Sequence, residues 1–360
     1  MSNAAKAAMR PFGFDEFDGH EHVSLFCDDD TGLQAIIAIH STAPFGLSGG
    51  GCRMVPYPTT EAALRDALRL SRAMSFKLAL TEMPAGGAKC VVIGDPTRDK
   101  TPELLRSLGE AVERLGGRYI IAEDVGTTPE DMRVIGEVTR YVTGKRQDTG
   151  PTTAHGVFVG LKLGVAEQLG RSDLEGVSVA VQGLGAVGRR LVDELVEAGA
   201  KVTVSDIHDE AVARVVAAHP TITTVAPDDI LFQPVDVIAP CAMGQIFDDE
   251  TVPRLRCRVI AGAANNQLVA PRHAELLRAR DILYLPDFVI NAGGVIGAAF
   301  ESFDGGEVDL PAALRETEKV GEILNVALRR ARQEGLSVEA AAVAFAKEKV
   351  AERRRQRRGG

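Results

Sequence analysis

The stretch "VSVAVQGLGAVGRRLVDELVEAGAKVTVSD", residues 177–206, leaves a chain few ways to fold. A β-branched run, three glycines spaced G-x-G-x-x-G, an amphipathic helix and a second β-branched run make one strand–helix–strand unit. Such a unit needs a parallel sheet with helices on its faces. The glycine spacing alone discriminates poorly, but in this context it is a dinucleotide fingerprint. Gly183 permits the tight turn, and Gly185 lets the backbone approach a pyrophosphate across the loop that Ala186 and Val187 complete. Gly188 lets helix and strand pack closely. "KVTVSD" ends at Asp206, eighteen residues past Gly188, where a carboxylate suits the adenosine ribose hydroxyls. No arginine follows it directly, so NAD is expected over NADP. The alternative is a glycine-rich turn in a similar domain that binds nothing.

Later strand ends carry "APCAMG", "AGAANNQL" and "DFVINAGG". Ligands of open α/β sheets lie outside the carboxyl ends of the strands, which places Cys241, Ala242, Asn265 and Asn291 near the same cofactor. Each asparagine could equally cap a helix or form a turn.

At 360 residues the chain exceeds the size at which single cores stop growing, so two domains are expected. The first half alternates strands and helices: "LQAIIAIH", the helix "TTEAALRDALRLSRAMSFKLAL", "KCVVIGD", a helix opening at Thr101-Pro102, and "RYIIAEDVG" ending in Glu123 and Asp124. The stretch "STAPFGLSGGGCRM" reads as a glycine-rich loop, and Pro84-Ala85-Gly86-Gly87 as a turn. "GKRQDTGPTTAHG" is the candidate boundary. The expected domains are residues 1–145, joined by C-terminal helices from about 325 to 360, and residues 146–324.

No apolar run is long enough to span a bilayer and no leader precedes the chain, which points to the cytoplasm. Five dispersed cysteines without C-x-x-C pairing read as reduced, and no metal site is expected. A net charge of −9 argues against nucleic acid as a partner, the basic end "ERRRQRRGG" reading as a solvated helix terminus.

Two lysines remain. Lys77 and Lys89 flank the Pro-Ala-Gly-Gly segment in otherwise mostly apolar sequence, where an ammonium either snorkels to solvent or has a task. Here the residues resemble the glutamate, leucine, phenylalanine and valine dehydrogenases, and within them the branch acting on apolar amino acids. Nine stretches match in order: "GGGCRM", "MSFKLAL", "GGAKCVVIGDP", "YIIAEDVGT", "TTAHGV", "VQGLGAVG", "APCAMG", "AGAANNQL" and "NAGGV". The resemblance implies an α/β protein of two domains, an N-terminal α/β substrate domain and a Rossmann NAD-binding domain, separated by a cleft. It also implies a homo-oligomer that oxidises an L-amino acid to the 2-oxo acid and ammonia.

By position, the resemblance makes Lys77 the anchor of the substrate carboxylate and Lys89 the residue that activates the water attacking the imine. Asp124 then handles protons on the amino nitrogen, while Gly50, Gly51 and Met74 line the substrate. Thr153 and Asn265 orient the nicotinamide carboxamide, Asn265 also reaching the substrate. The positions matching the family's side-chain-binding residues are Gly49, Ala122, Val295 and Ala298, all uncharged, so a second carboxylate is disfavoured. The small residues at 49 and 298 leave room for a larger or aromatic side chain. Ala88 replaces the third glycine of the family's Gly-Gly-Gly-Lys, and Gly297 and Phe300 stand where many relatives are polar. A 2-hydroxyacid dehydrogenase would instead offer a histidine base with an arginine, and a non-catalytic NAD-binding protein would not need the lysines with Asp124.

Overall fold

The computed structural model describes residues 11–145, 148–300 and 309–359. It divides into two compact units, one of Met1–Gln147, Glu301–Glu307 and Ala346–Gly360, the other of Asp148–Phe300 and Val308–Phe345. Arg146 and Gln147 of the candidate boundary lie outside the described residues.

In the first unit a five-stranded sheet is ordered β1-β2-β4-β3-β5, comprising β1 (His22–Asp28), β2 (Leu33–Ile39), β3 (Ser48–Val55), β4 (Gly86–Ile93) and β5 (Tyr119–Glu123). β2 runs antiparallel to β1 and β4, whereas β3 runs parallel to both β4 and β5. Helix α1 (Thr60–Leu80) covers one face through Ala63, Ala67 and Leu68 against Ile36, Ala38 and Val91. Helices α2 (Pro102–Glu113) and α3 (Pro129–Ile135) cover the other, where Leu33, Ile37, Cys52, Met54, Cys90 and Ile121 meet Leu108 and Met132. β2 is thus buried on both faces, which is why it reads as a continuous apolar run rather than an alternation. Threonine side chains at 59, 101 and 128 cap the three helix starts.

Two sequence expectations are corrected. "SGGGCRM" is strand, and Gly86-Gly87 opens a strand rather than completing a turn. Glycine serves there to admit neighbouring backbone: a Cβ on Gly50 would lie 1.7 Å from Ala88 O, and one on Gly87 would lie 2.0 Å from Ser75 N of α1. The propensity penalty of glycine in a strand is overridden by close approach.

The second unit holds a six-stranded parallel sheet of β6 (Ser178–Gln182), β7 (Lys201–Ser205), β8 (Thr223–Thr224), β9 (Val237–Pro240), β10 (Val259–Ile260) and β11 (Leu283–Tyr284). Its order, β11-β10-β9-β6-β7-β8, is the doubly wound Rossmann arrangement, with the switch point between β6 and β9. The helices are α4 (Gly150–Leu169), α5 (Gly188–Glu197), α6 (Asp209–Ala218), α7 (Arg272–Ala279), α8 (Asp287–Ile290), α9 (Gly293–Ala299), α10 (Leu310–Thr317), α11 (Lys319–Glu334) and α12 (Val338–Gly359). The sequence reading returned the chain to the first domain from about residue 325. By contacts the return comes at Ala346, because α11 buries Val320, Leu324 and Ala327 and packs on α4. Among the described residues no helix is long and apolar enough to cross a membrane, and no group of three or more His, Cys, Asp or Glu could hold a metal ion.

A buried histidine pair links this fold to pH. His20 and His40 meet edge to face at 4.9 Å, with Nε2 of His40 donating to Asp18 O and both Nδ1 atoms without a partner among the described residues. Burial, reinforced at His40 by the His20 ring, pushes His20 down to about 4 and His40 to about 3. Unfolded imidazoles take up protons below about pH 6.5 while these stay neutral, so stability is full above that value and declines as pH falls toward 4 and then 3. Thermal unfolding should show a cost on the order of 3 kcal/mol for each histidine of the pair by pH 4. His40→Gln, which keeps a donor for Asp18, should flatten that decline; an unchanged slope contradicts it.

Candidate active site

Period-two alternation sorts the three parallel strands of the first unit into a core face and a reactive face. Gly50, Cys52, Met54, Ala88, Cys90, Tyr119 and Ile121 point one way, most of them into the core cluster. Their neighbours Gly49, Gly51, Arg53, Gly87, Lys89 and Ala122 point the other way, with Asp124 next in phase just past β5.

On that face Lys89 Nζ lies 2.9 Å from Asp124 Oδ2, and Arg53 Nε donates to the same oxygen at 3.0 Å. Arg53 reaches Asp66 Oδ2 of α1 through Nη1 at 3.1 Å, and Tyr57 Oη donates to that Asp66 oxygen at 2.5 Å. Burial opposes ionisation of Asp124, but Lys89 and then Arg53 outweigh it and hold the carboxyl well below the usual carboxylate range. Asp124 sits at the head of a turn pinned to β3: Thr127 Oγ1 accepts from its N–H at 2.9 Å, and Met54 N–H donates to Val125 O.

A Cβ at Gly51 would lie 2.7 Å from Glu123 O, 2.8 Å from Asp124 Cβ and 3.2 Å from Lys89 Nζ, so the pair meets over a residue with no side chain. At Gly49 a Cβ would meet nothing within 4 Å, leaving open space on the same face. The Gly50 carbonyl accepts from Tyr119 Oη at 2.7 Å, so that group is already engaged. Lys77 is buried in the last turn of α1. It lies two residues past Ser75, whose Oγ accepts from Gly87 N–H of β4 at 3.1 Å. Met74 precedes Ser75 in that contact.

In the second unit Gly183 has φ +92° and gives the tight turn after β6. A Cβ on Gly188 would lie 1.9 Å from Gly183 O, and one on Gly185 would meet nothing, leaving the loop backbone bare. Cys241 and Ala242 lie against Gly188 and Gly183 respectively, and burial pushes the Cys241 thiol up to about 11, so it stays neutral. Asp206 Oδ2 accepts from Leu184 N–H at 2.6 Å and Oδ1 from His208 N–H at 2.8 Å, which ties the carboxylate to the glycine loop. Asn291 Nδ2 donates to Asn265 Oδ1 at 3.0 Å, joining two of the asparagines. Thr153 Oγ1 donates to Thr149 O, beside Gly294. Buried Gln182 Oε1, Ser205 Oγ and Asn291 Oδ1 have no partner among the described residues. Orphaned acceptors and hydroxyls at the strand ends, with an unobstructed Gly185, fit a dinucleotide. Val295 and Ala298, three apart, share a face of α9. Gly297 has a packing reason, since a Cβ there would lie 2.4 Å from Thr152 Oγ1.

Comparison with known proteins identifies the family. Residues 20–141 match the dimerisation domain of the Glu/Leu/Phe/Val dehydrogenases, and residues 144–358 match the glutamate/leucine/phenylalanine/valine dehydrogenase domain. The chain belongs to the Glu/Leu/Phe/Val dehydrogenase family. It is 43% identical to a leucine dehydrogenase of Bacillus cereus over 91% of this chain and 90% of that one. A valine dehydrogenase of Streptomyces virginiae is 40% identical over 98% and 100%. The crystal structure of L-tryptophan dehydrogenase from Nostoc punctiforme superposes with a TM-score of 0.78 at 39% identity, covering 94% of this chain and 97% of that one. As a member of this family the protein is an oxidoreductase acting on CH–NH2 groups, of a class that uses NAD or NADP.

Sequence reading missed Arg53, Asp66 and Tyr57. Arg53 stood inside "GGGCRM", and reading that stretch as a strand puts it in phase with Gly49 and Gly51. Gly51→Ala should lower kcat at least about tenfold by parting Lys89 from Asp124, while overpacking costs about 1–3 kcal/mol of stability. Steady-state kinetics beside thermal unfolding checks this, and an unchanged kcat contradicts the close approach described.

Proposed function

We propose that the protein catalyses the reversible, NAD-dependent oxidative deamination of an apolar L-amino acid to its 2-oxo acid and ammonia. The observation that carries this reading is the 2.9 Å contact between Lys89 and Asp124 over Gly51, on a strand face that also carries Gly49, Gly87, Ala122 and Arg53. Two groups able to exchange a proton directly suit a reaction that must first deprotonate an ammonium and then activate a water.

Bound NAD supplies the hydride acceptor. Lys77 anchors the substrate carboxylate, and Asp124 accepts a proton from the substrate ammonium. Loss of hydride from Cα leaves an imine, to which water adds as Lys89 takes the water's proton. Asp124 then returns its proton to the carbinolamine nitrogen, and the C–N bond breaks as the hydroxyl's proton passes through Asp124 to the departing ammonia, giving the 2-oxo acid and ammonium, while Lys89 releases the water's first proton to solvent. The 2.9 Å contact lets the proton pass between the two residues without a relay.

Three further choices are supported. Asp206 faces a 2'-phosphate with a carboxylate, favouring NAD. Gly49 leaves open space, and the tryptophan dehydrogenase likeness is in keeping with a bulky side chain there. The match to a dimerisation domain supports self-association into a homo-oligomer.

The test compares glutamate, valine, leucine, phenylalanine and tryptophan with NAD and NADP, on wild type and Gly49→Leu. Repulsion at Asp206 of about 1–3 kcal/mol predicts roughly a tenfold to hundredfold preference for NAD in kcat/KM. An unpaired γ-carboxylate costing roughly 4 kcal/mol puts glutamate about a thousandfold below the best apolar substrate. Gly49→Leu should depress the aromatic substrates more than valine. Glutamate as best substrate sinks the apolar assignment, and an unmoved aromatic-to-valine ratio sinks the roomy site alone.

A further inference from the structure

Asp124 has two countercharges, and they differ in kind. Lys89 is the one that the proposed chemistry requires to give up its charge, whereas a guanidinium stays protonated throughout. Both donate to the same oxygen, Oδ2, at 2.9 Å from Lys89 and 3.0 Å from Arg53. Arg53 is itself held from behind, with Nη1 3.1 Å from Asp66 Oδ2, which also accepts from Tyr57.

We propose that Arg53, braced by Asp66 and Tyr57, is a positioning residue for the deamination steps. It fixes Oδ2 of Asp124, leaves Oδ1 as the oxygen that exchanges protons with the substrate nitrogen, and remains as countercharge when Lys89 is neutral. The inference rests on the proton-handling roles assigned above to Lys89 and Asp124. In the first step the N–H bond of the substrate ammonium breaks and an O–H bond forms at Oδ1; in the last, that O–H breaks as the departing nitrogen takes the proton.

Geometry alone gives Arg53 its leverage. A carboxylate held on one oxygen by one flexible lysine turns freely about its own bond, and a second donor from another strand removes that freedom. The fork of the guanidinium spans Asp124 and Asp66 together, which a lysine in its place cannot do with one nitrogen. The pull of Arg53 also helps keep the Asp124 carboxyl below its ordinary range. The phenols that feel the Asp124 charge are Tyr57, behind Asp66, and Tyr119, on the core face of β5 that also carries Cys52 on β3 and Cys90 on β4. Burial raises the Tyr119 phenol, while the hydrogen bond to Cys52 and burial raise the Cys90 thiol. Loss of Arg53 therefore moves the titration of Asp124 upward, leaving Lys89 as its countercharge among the described residues.

The experiment measures kcat, KM and the pH profile of kcat/KM with the best apolar amino acid for Arg53→Gln, Arg53→Lys, Asp66→Asn and Asp124→Asn, each with its unfolding temperature. Arg53→Gln should lose about a hundredfold in kcat with KM within threefold, and its acid limb should move to higher pH by about one unit. Arg53→Lys should recover about tenfold of that loss, and Asp66→Asn should fall about tenfold with a smaller move of the limb. Where Arg53→Gln does not fold, the lysine and Asp66 variants carry the comparison. Wild-type kcat and an unmoved acid limb in Arg53→Gln, or in Asp66→Asn, overturn the positioning role while an inactive Asp124→Asn leaves the catalytic reading standing. A fully active Asp124→Asn removes the catalytic reading and this inference with it.

Discussion

Lys89 lies midway along β4 and Asp124 just past the end of β5, two strands that do not pair because β3 lies between them. Neighbouring strands are about 4.8 Å apart, so the pair has to reach across nearly twice that distance over the middle strand. Gly51 is the residue beneath the crossing, and its missing side chain is what the contact requires. Much else in the first unit follows from this. Gly87 lets α1 settle onto β4, and the Asp124–Thr127 turn is pinned to β3 by Met54.

Holding four charged groups largely out of water between the strand face and α1 carries a desolvation cost that pairing offsets only when every charge has a partner. Here Lys89 meets Asp124, Asp124 meets Arg53, and Arg53 meets Asp66, so the chain of contacts alternates in sign and closes on a tyrosine hydroxyl. Such a row is a poor device for stability and a good one for holding a carboxylate ionised inside a protein. The opposite face of the same strands is apolar and fully packed, so the sheet separates support from chemistry residue by residue.

The Rossmann unit was legible in the sequence because its signal is local: a strand, a spaced set of glycines and a helix within thirty residues. The structure adds why each glycine stands there, from φ +92° at Gly183 to the carbonyl of that residue pressed against Gly188. Lys77, Lys89 and Asp124 could be singled out from their setting and from resemblance. What sequence hid was strand β3. Three consecutive glycines read as a loop by propensity, since the reason for them lies in residues far along the chain: Ala88 against Gly50, and Asp124 against Gly51. With the strand mistaken for a loop, the alternation that puts Arg53 beside Asp124 was invisible, and Asp66 and Tyr57 went unread with it. The return of the chain to the first unit was misplaced for a similar reason, because an amphipathic helix such as α11 does not announce which surface it covers.

The central claim is a division of labour, in which one lysine binds and the other does chemistry. Its most direct test sets Lys89→Ala beside Lys77→Ala, measuring kcat together with equilibrium binding of the 2-oxo acid to the NADH-loaded enzyme. The account expects Lys89→Ala to lose on the order of a thousandfold in kcat while binding within a few fold of wild type, and Lys77→Ala to lose mainly binding. Near-normal turnover in Lys89→Ala, or binding lost equally in both variants, would contradict it.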